Sequence, residues 1–455
     1  MQNKRLEGSQ SYPLFYKRMI AIAVPIMISQ LILVSLNLAD TIMVGKLGEE
    51  ALAAVGAANQ VFFVFIDIMF GVYSGAAVFA VQFYGIKDMD SFHKIVGIDF
   101  FLCFLFCIPM MAIALTFPSQ LIGIFIEDKS VVPLGVSYLR IVAWSYILQG
   151  LTFAITFNSR AIERLLVPTI INCIAISINI FLNYCLIYGK CGFERYEVKG
   201  AAYATLIARC FEFLAIYIYI FVDKNNPIRC KIKELKFEIS LFKDVMKKAM
   251  PVIFNEAFWV ISMTTGFAIY GRLGTSALAV VQVASTISDI FIAVYCGLAN
   301  AGNVIIGQNL GQGNREDAYM IARKVIKISW IFNVISTLGA ILMRKFICDV
   351  YGFGLETSEL LMKSLLVFAI LLTPRMMAYV LICGILRAGG DTTFSMLVDA
   401  GFNWIIQVPL ILLAVKLGFP LPICLAFAGI SDICKTVACY IRILKKKWMN
   451  VFTGR

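Results

Sequence analysis

The feature that most constrains this chain is a series of long stretches that carry almost no charge. The windows 95–117, 165–188, 201–222, 325–343 and 397–415 each contain at most two charged side chains. About twenty apolar residues suffice for a helix to cross roughly 30 Å of hydrocarbon. With 60% of residues hydrophobic and 15% charged, a soluble domain could not cover its apolar surface with polar groups, whereas lipid accepts such a surface. The sequence therefore predicts an integral membrane protein.

The apolar stretches recur along the whole chain and predict an all-α fold of twelve transmembrane helices. Polar and glycine-containing segments separate them. We place the helices at about 16–38, 51–78, 95–117, 135–157, 165–188, 200–222, 248–270, 276–304, 323–343, 359–385, 393–415 and 420–442.

The net charge of +12 is distributed unevenly between the loops of the two sides. Loops of one side are rich in Lys and Arg, including the segment from Lys224 to Lys248 and the C-terminal group from Arg442 to Lys447. Because basic loops stay on the cytoplasmic side, both termini are predicted to be cytoplasmic. The excess of basic residues thus indicates membrane topology, and no nucleic-acid partner is expected.

An internal repeat links the two halves of the chain. Shifting the sequence by 226 residues aligns residues 25–88 with 251–314 without a gap, and 16 of the 64 pairs are identical. The identities include Pro25 with Pro251, and Gly48 with Gly274. Chance agreement between apolar helices would scatter matches among Leu, Ile and Val, so we interpret the repeat as a duplication.

The duplication predicts two six-helix lobes related by pseudo-two-fold symmetry. We assign residues 1–222 to an N-terminal lobe, 223–248 to a basic cytoplasmic linker and 249–455 to a C-terminal lobe. Six is an even number, so both halves should insert in the same orientation. Parallel repeats of this kind are typical of transporters in which one bundle rocks against the other.

Several motifs resemble those of the MATE family of multidrug and toxic compound extruders. They span the chain and are Pro25 with Ala39-Asp40-Thr41-Ile42-Met43-Val44-Gly45-Lys46-Leu47-Gly48, Ala51-Leu52-Ala53-Ala54-Val55-Gly56, Gln82 with Gly85, Gly307-Gln308-Asn309-Leu310-Gly311, and Arg387-Ala388-Gly389-Gly390-Asp391-Thr392. The resemblance implies a bacterial plasma-membrane antiporter that exports cationic or amphipathic small molecules in exchange for H⁺ or Na⁺. It further implies a monomer that contacts lipid and needs no cofactor besides the coupling ion.

The resemblance also implies a cation site formed by Asp40, Asn179, Asn183 and Thr205. Asn179 and Asn183 are spaced i, i+4 and share one helix face, and their amide oxygens suit Na⁺ or a protonated carboxyl. Some relatives carry an aspartate where this chain has Asn183, which leaves Asp40 as the only acid of the set. Two plainer interpretations remain: Asp40 merely meets water at a helix end, and the asparagines only join helices by hydrogen bonds.

A second set of candidates lies in the C-terminal half. Glu256 follows Pro251 by five residues, and Trp259 follows Glu256 by three. A carboxylate beside an aromatic ring could bind a lipophilic cation or carry a coupling proton. Glu256 resembles the NorM-like branch of the family, whose helix-10 aspartate is absent here; Arg375 lies nearby and is a candidate counter-ion. Asp289 is a further acid that could line a substrate path.

The remaining polar residues receive simpler interpretations. Arg209 and Glu212, at i, i+3, are expected to pair with each other. Asp99, Asp399 and Asp432 are placed close enough to helix ends to be interfacial. The thirteen cysteines lack the spacing of a zinc site or disulfide framework and are expected to serve as packing residues.

Two alternative functions were weighed against transport of organic cations. An enzyme is disfavoured because the sequence has no Ser/His/Asp set, no HExxH and no phosphate-binding glycine loop, and its single histidine, His93, is placed in a loop. A flippase of lipid-linked saccharides is the nearest alternative, since related flippases resemble the same six-plus-six plan. Such flippases tend to have a cationic cavity, whereas here the predicted spans hold few basic residues, chiefly Arg140, Arg209 and Arg375.

Overall fold

The computed structural model describes residues 12–125, 131–231, 233–351 and 353–453, and their regular structure is entirely helical. The helices are α1 Tyr12–Gly45, α2 Glu49–Gly85, α3 Met89–Thr116, α4 Pro118–Gly123, α5 Val132–Val142, α6 Ser145–Ala161, α7 Leu166–Tyr188, α8 Glu197–Val222, α9 Ile239–Gly271, α10 Thr275–Gly311, α11 Arg315–Tyr351, α12 Leu355–Tyr379, α13 Thr392–Phe402, α14 Val408–Lys416 and α15 Leu421–Leu444. Two π-helical segments, Val380–Leu386 and Asn403–Gln407, extend α12 and join α13 to α14.

The number of membrane spans agrees with the sequence. Within the described ranges, eleven helices are long and apolar enough to cross a membrane, and α5 with α6 forms one more span bent by 48°. The predicted all-α fold of twelve spans is thereby confirmed. The helices extend beyond the predicted limits, as α9 and α11 show, because a helix can continue into water where its residues become charged.

The duplication is visible in the backbone. Helices α2 and α10 both contain 37 residues and begin 226 positions apart. The residue before each is a glycine with positive φ, 120° at Gly48 and 104° at Gly274. With ψ of 168° and 173°, both glycines occupy a backbone region that residues with a Cβ avoid. The two glycines therefore explain why this turn is retained in both copies.

The described residues divide into two compact units. One contains residues 28–249; the other contains residues up to 27 together with those from 250 onward. Both divisions fall inside a helix, α1 or α9, close to Pro25 and Pro251. The sequence boundaries at 222 and 249 remain a prediction, and the first eleven and last two residues, with the predicted cytoplasmic termini, lie outside the described ranges.

The predicted basic linker packs onto the unit of residues 28–249. Asp223 accepts a hydrogen bond from Arg164 at 2.8 Å, and Nε2 of His93 lies 2.8 Å from the Pro227 carbonyl oxygen. Gly97 lies so close to Leu235 that an added Cβ would overlap the Leu235 carbonyl. His93 belongs to the first turns of α3, so its placement in a loop was wrong. The end of the predicted linker is already helical, since α9 begins at Ile239.

Large apolar side chains are exposed on the spans themselves. Leu342, Ile405 and Val222 are 81%, 74% and 73% exposed. Water would make such surfaces unfavourable, whereas lipid tails solvate them. The exposed apolar residues agree with a multi-pass membrane protein.

Candidate functional site

The predicted cation-site residues of the N-terminal half come together between three helices. Asp40 lies on α1, Asn179 and Asn183 on α7, and Thr205 on α8. Asn183 Nδ2 donates to Asp40 Oδ1 at 2.6 Å and is 3.1 Å from Asn179 Oδ1. Asn179 lies 3.3 Å from Thr205 Oγ1. Both asparagines are buried, 4% and 1% exposed, so the cluster is part of the interior of the unit.

Close packing of α7 against α8 places Thr205 beside Asn179. At Gly200, an added Cβ would lie 2.6 Å from the carbonyl carbon of Leu186, a backbone atom of α7. The N–H of Tyr196 donates to the Leu186 carbonyl oxygen at 2.8 Å. Only a residue without Cβ permits such an approach. Gly200, five residues before Thr205, thus determines the separation of α7 and α8 beside the cluster.

The Asn179 amide can face Asp40 with either of its polar atoms. The atom on that side lies 3.2 Å from Asp40 Oδ1. If it is the nitrogen, it donates to the carboxylate while the oxygen accepts from the Thr205 backbone N–H at 3.3 Å. If it is the oxygen, two oxygens face each other, and a proton or metal cation between them would relieve their repulsion. The cluster thus has one arrangement closed by protein donors and another suited to a cation.

The nearest basic side chain on α8 is engaged elsewhere. Arg209 Nη1 donates to Glu212 Oε2 at 2.7 Å, and Asn172 donates to Glu212 Oε1 at 2.7 Å. The predicted pairing of Arg209 with Glu212 is confirmed. Among the described residues no basic side chain forms an ion pair with Asp40; Arg209 acts on its charge only from beyond ion-pair distance.

In the C-terminal half, the structure pairs Glu256 with an arginine. Arg387 Nη2 donates to Glu256 Oε1 at 2.6 Å, and the two side chains are 2% and 15% exposed. Arg387 Nε and Nη1 are buried and have no hydrogen-bond partner among the described residues. Arg387 therefore relies on Glu256 to balance its charge, and Glu256 is not a free carboxylate.

A second group of charges joins α12, α13 and α15. Arg375 Nε donates to Asp432 Oδ2 at 3.1 Å. Lys435 donates to Asp399 Oδ1 at 2.8 Å, and its Nζ is 3.8 Å from Asp432 Oδ1. Asn255, next to Glu256 on α9, donates to Asp399 Oδ2 at 3.1 Å. Arg375, the candidate counter-ion, is thus paired with Asp432.

The other two candidates of the C-terminal half stand apart from these pairs. Trp259 is half-buried, and its indole makes no hydrogen bond or ring contact with described residues, so the structure does not bring the ring to Glu256. Asp289 is exposed on α10 and has no ion-pair or hydrogen-bond partner in the described ranges. The structure therefore unites the first set of candidates and separates the second.

Sequence reasoning missed the buried position of two acids and the partly buried position of a third, Asp399. Asp99, Asp399 and Asp432 were expected at interfaces, but Asp99 and Asp432 are 2% and 6% exposed. Asn158 donates to Asp99 at 2.7 Å. Lys435 donates to Asp399, and its Nζ lies 3.8 Å from Asp432 Oδ1. One signal was available: Asp432 and Lys435 are spaced i, i+3 in the middle of an apolar span, a spacing that places opposite charges together. For Arg387 only a family motif drew attention, with no hint of its partner.

Comparisons with known proteins agree with this fold. A family model described as MatE matches residues 25–185 and 251–444. The chain is 23% identical over 418 residues to the probable multidrug resistance protein YoeA of Bacillus subtilis, covering 90% of this chain and 89% of that protein. It is 25% identical over 407 residues to the probable multidrug resistance protein NorM of Rhizobium meliloti, covering 88% and 86%.

A solved structure shows the same fold at low sequence identity. The outward-facing conformation of a multidrug resistance MATE family transporter of the MOP superfamily superposes with a TM-score of 0.85 at 20% identity, covering 95% of each chain. The matched segments begin at the two repeat prolines and include Asp40, Asn179 and Asn183 in one half and Glu256, Arg387 and Lys435 in the other. Because the family model matches most of the sequence, this chain belongs to the MatE family of multidrug transporters.

Proposed function

We propose that this protein exports cationic or amphipathic small molecules by antiport with H⁺ or Na⁺, with alternating access between two lobes. The observation that carries the proposal is the Asp40 cluster, a carboxylate in a membrane span that faces amides and a hydroxyl but no basic partner. An ionisable group inside a membrane is unfavourable unless it is paired or has a function. A cation that binds and leaves during transport would provide the missing charge.

The chemistry of the cluster suits a small cation. A proton can bind directly to the Asp40 carboxylate, with Asn183 retained as donor to the other lone pairs. Na⁺ prefers several oxygen ligands, which Asp40, Asn179 and Thr205 could supply after the Asn179 amide turns its oxygen inward. Either cation removes the uncompensated charge and would favour a different packing of α1 against α7. The relatives' names, which describe multidrug resistance proteins, support organic compounds as the exported substrates.

In the C-terminal half, we propose different roles for the separated candidates. Glu256 can accept a proton or an organic cation only by giving up Arg387, so it would act by exchange of partners. Asp289 and Trp259 need no such exchange, and an unpaired exposed carboxylate and an indole ring suit a lipophilic cation. Arg375 would hold Asp432 in place and would not bind substrate.

The rival function, a flippase of lipid-linked saccharides, requires basic side chains available to a pyrophosphate. Four basic residues inside the spans are each bound to an acid: Arg209 to Glu212, Arg375 to Asp432, Arg387 to Glu256 and Lys435 to Asp399. These residues offer no free cationic surface, which favours export of cations over translocation of an anionic lipid.

The remaining parts of the proposal follow the membrane character of the chain. We place the protein in the plasma membrane with both termini cytoplasmic, acting as a monomer in contact with lipid. Small organic cations or amphiphiles are its partners, and nucleic acid is not. The protein requires no cofactor other than the coupling ion.

The decisive experiment uses proteoliposomes with imposed H⁺ or Na⁺ gradients, applied separately, and ethidium as substrate. Asp40→Asn should abolish gradient-driven export while the purified protein keeps its helicity and thermal stability. Asp90→Asn is the matched control, because Asp90 is exposed in the first turn of α3. Unchanged gradient-driven export by Asp40→Asn would refute the coupling role.

A further inference from the structure

Lys435 is coordinated as a bound cation would be. It lies on α15 and is 4% exposed. Its Nζ donates to Asp399 Oδ1 at 2.8 Å and to Asn403 Oδ1 at 2.7 Å, and Asp432 Oδ1 is 3.8 Å away. An ammonium has three N–H donors and no acceptor. All three oxygens that face Lys435 come from side chains within the membrane spans.

The orientation of Asn403 shows that these oxygens are arranged around a positive charge. Asn403 is fully buried, and its Oδ1 points to Lys435 while its Nδ2 has no hydrogen-bond partner in the described ranges. A buried donor without a partner costs about 1–3 kcal/mol. Asn403 also begins a π-helical segment, and such segments are frequent at functional sites. The favourable interaction of Asn403 Oδ1 with the Lys435 ammonium offsets the cost of the unpaired Nδ2 and of the irregular helix.

The oxygen set around Lys435 resembles the one around Asp40. Each combines carboxylate and amide oxygens, although Asp40 lies on α1 whereas Asp399 and Asp432 lie on α13 and α15. The last span of each half carries a basic residue inside it, Arg209 on α8 and Lys435 on α15. Arg209, however, pairs with Glu212 on its own helix, which leaves Asp40 without a basic side chain at ion-pair distance among the described residues. The two copies therefore differ in whether the chain itself supplies the cation.

We propose that Lys435 is a tethered cation that takes the place of an exchangeable one in the C-terminal half. Resting on the proposed antiport, this assignment means that the Lys435 cluster binds no coupling ion, so that Asp399 and Asp432 add nothing to the number of cations exchanged per substrate. Asp399 and Asp432 are balanced by Lys435 and Arg375. Removal of the lysine would leave one negative charge, which a small monovalent cation such as Na⁺ or methylammonium should replace.

The first test measures cation binding without transport. In an Asp40→Asn background, purified protein should show no saturable rise in Tm on addition of Na⁺ or methylammonium. Adding Lys435→Ala should create such a rise, with N-methyl-D-glucamine, too large for the lysine's volume, giving none at equal ionic strength. Adding Asp399→Asn as well should weaken the apparent affinity at least about tenfold, the change for an interaction of about 1.4 kcal/mol.

Two results would overturn the assignment. One is saturable cation binding by the Asp40→Asn protein that Asp399→Asn removes, because the Lys435 cluster would then already take an exchangeable ion. The other is a folded Lys435→Ala protein that binds neither Na⁺ nor methylammonium. If Lys435→Ala does not fold, the first criterion still decides, since it needs no change at Lys435.

A transport readout separates this proposal from the antiport itself. Wild-type protein should exchange one cation per turnover fewer than Lys435→Ala, measured from the substrate gradient that balances a known cation gradient. Absence of gradient-driven export by the wild-type protein would refute the antiport proposal, whereas an unaltered exchange ratio in an active Lys435→Ala protein would refute only the tethered cation.

Discussion

The buried pair of Glu256 and Arg387 gives a stability prediction whose size follows from its surroundings. The two side chains are 15% and 2% exposed, with 2.6 Å between Oε1 and Nη2. Removal of one partner from a buried ion pair costs about 3–5 kcal/mol, because the other charge is left without compensation. Arg387 has no other hydrogen-bond partner for Nε and Nη1 among the described residues, and the nearby Asp399 is already paired with Lys435.

We therefore expect Glu256→Gln and Arg387→Met each to lower the free energy of unfolding by about 3–5 kcal/mol. The double variant should be more stable, by about 2 kcal/mol or more, than the sum of the two single losses predicts. The reason is that neither charge of the Glu256–Arg387 pair then remains buried without its partner. The assay is unfolding in mixed micelles with increasing sodium dodecyl sulfate, followed by circular dichroism.

An exposed pair of equal length provides the control. Lys363 Nζ and Glu359 Oε1 are also 2.6 Å apart, but their side chains are 63% and 68% exposed. Glu359→Gln should leave the unfolding free energy nearly unchanged, because water and salt screen an exposed pair. If the single variants at Glu256 and Arg387 behave like this control, or if their losses simply add, burial is not what makes the pair important.

Two further predictions concern helix spacing and a thiol outside the membrane spans. Gly200→Ala should lower both Tm and transport, because its Cβ would lie 2.6 Å from the Leu186 backbone and force α8 away from α7. Gly401→Ala is the control and should be neutral, since a Cβ there would meet no atom within 4 Å. Equal behaviour of the two variants would contradict this reasoning. Burial, and then the charge of Glu234, raise the pKa of the Cys230 thiol to about 11. Because the thiolate is the reactive form, alkylation of Cys230, followed by mass spectrometry of its peptide, should be slow at pH 8 and accelerate about tenfold per pH unit until that pKa. Glu234→Gln should increase the rate at pH 8, and a rate that already levels off near the ordinary thiol pKa of about 8.5 would refute the shift.

The sequence was sufficient for the fold but only for part of the polar chemistry. Span number and repeat could be predicted because hydrophobic length and glycine register are local properties of the sequence. Asn179 and Asn183 could be placed on one face because helical spacing fixes that face. The partner of Glu256 could not be predicted, since Arg387 is 131 residues away and only packing brings them together. Apolar windows also bias the interpretation of charges, which is why Asp432, in the middle of α15, was expected at an interface.

The paired turns before α2 and α10 permit a prediction about the repeat itself. Gly48 and Gly274 have φ of 120° and 104°, and an added Cβ would meet no atom within 4 Å at either position. Substitution by alanine should therefore lower the free energy of unfolding only through backbone strain, by about 1–3 kcal/mol. The loss should be similar in both copies. Three residues earlier, Gly45 and Gly271 lack positive φ.

The controls are matched across the duplication in the same way. A Cβ at Gly45 or at Gly271 would lie 3.8 Å from a leucine side chain seven residues later, which is ordinary contact. Gly45→Ala and Gly271→Ala should therefore be tolerated, whereas Gly48→Ala and Gly274→Ala should each lower Tm in detergent. If the losses at 48 and 274 differ in sign, or do not exceed those at 45 and 271, the shared turn geometry is not what preserved these glycines. If the prediction holds, the two copies share a backbone requirement although Asp40 corresponds to Gly266 and Glu256 to Gln30. The charged residues could then diverge between the copies while the backbone geometry was retained.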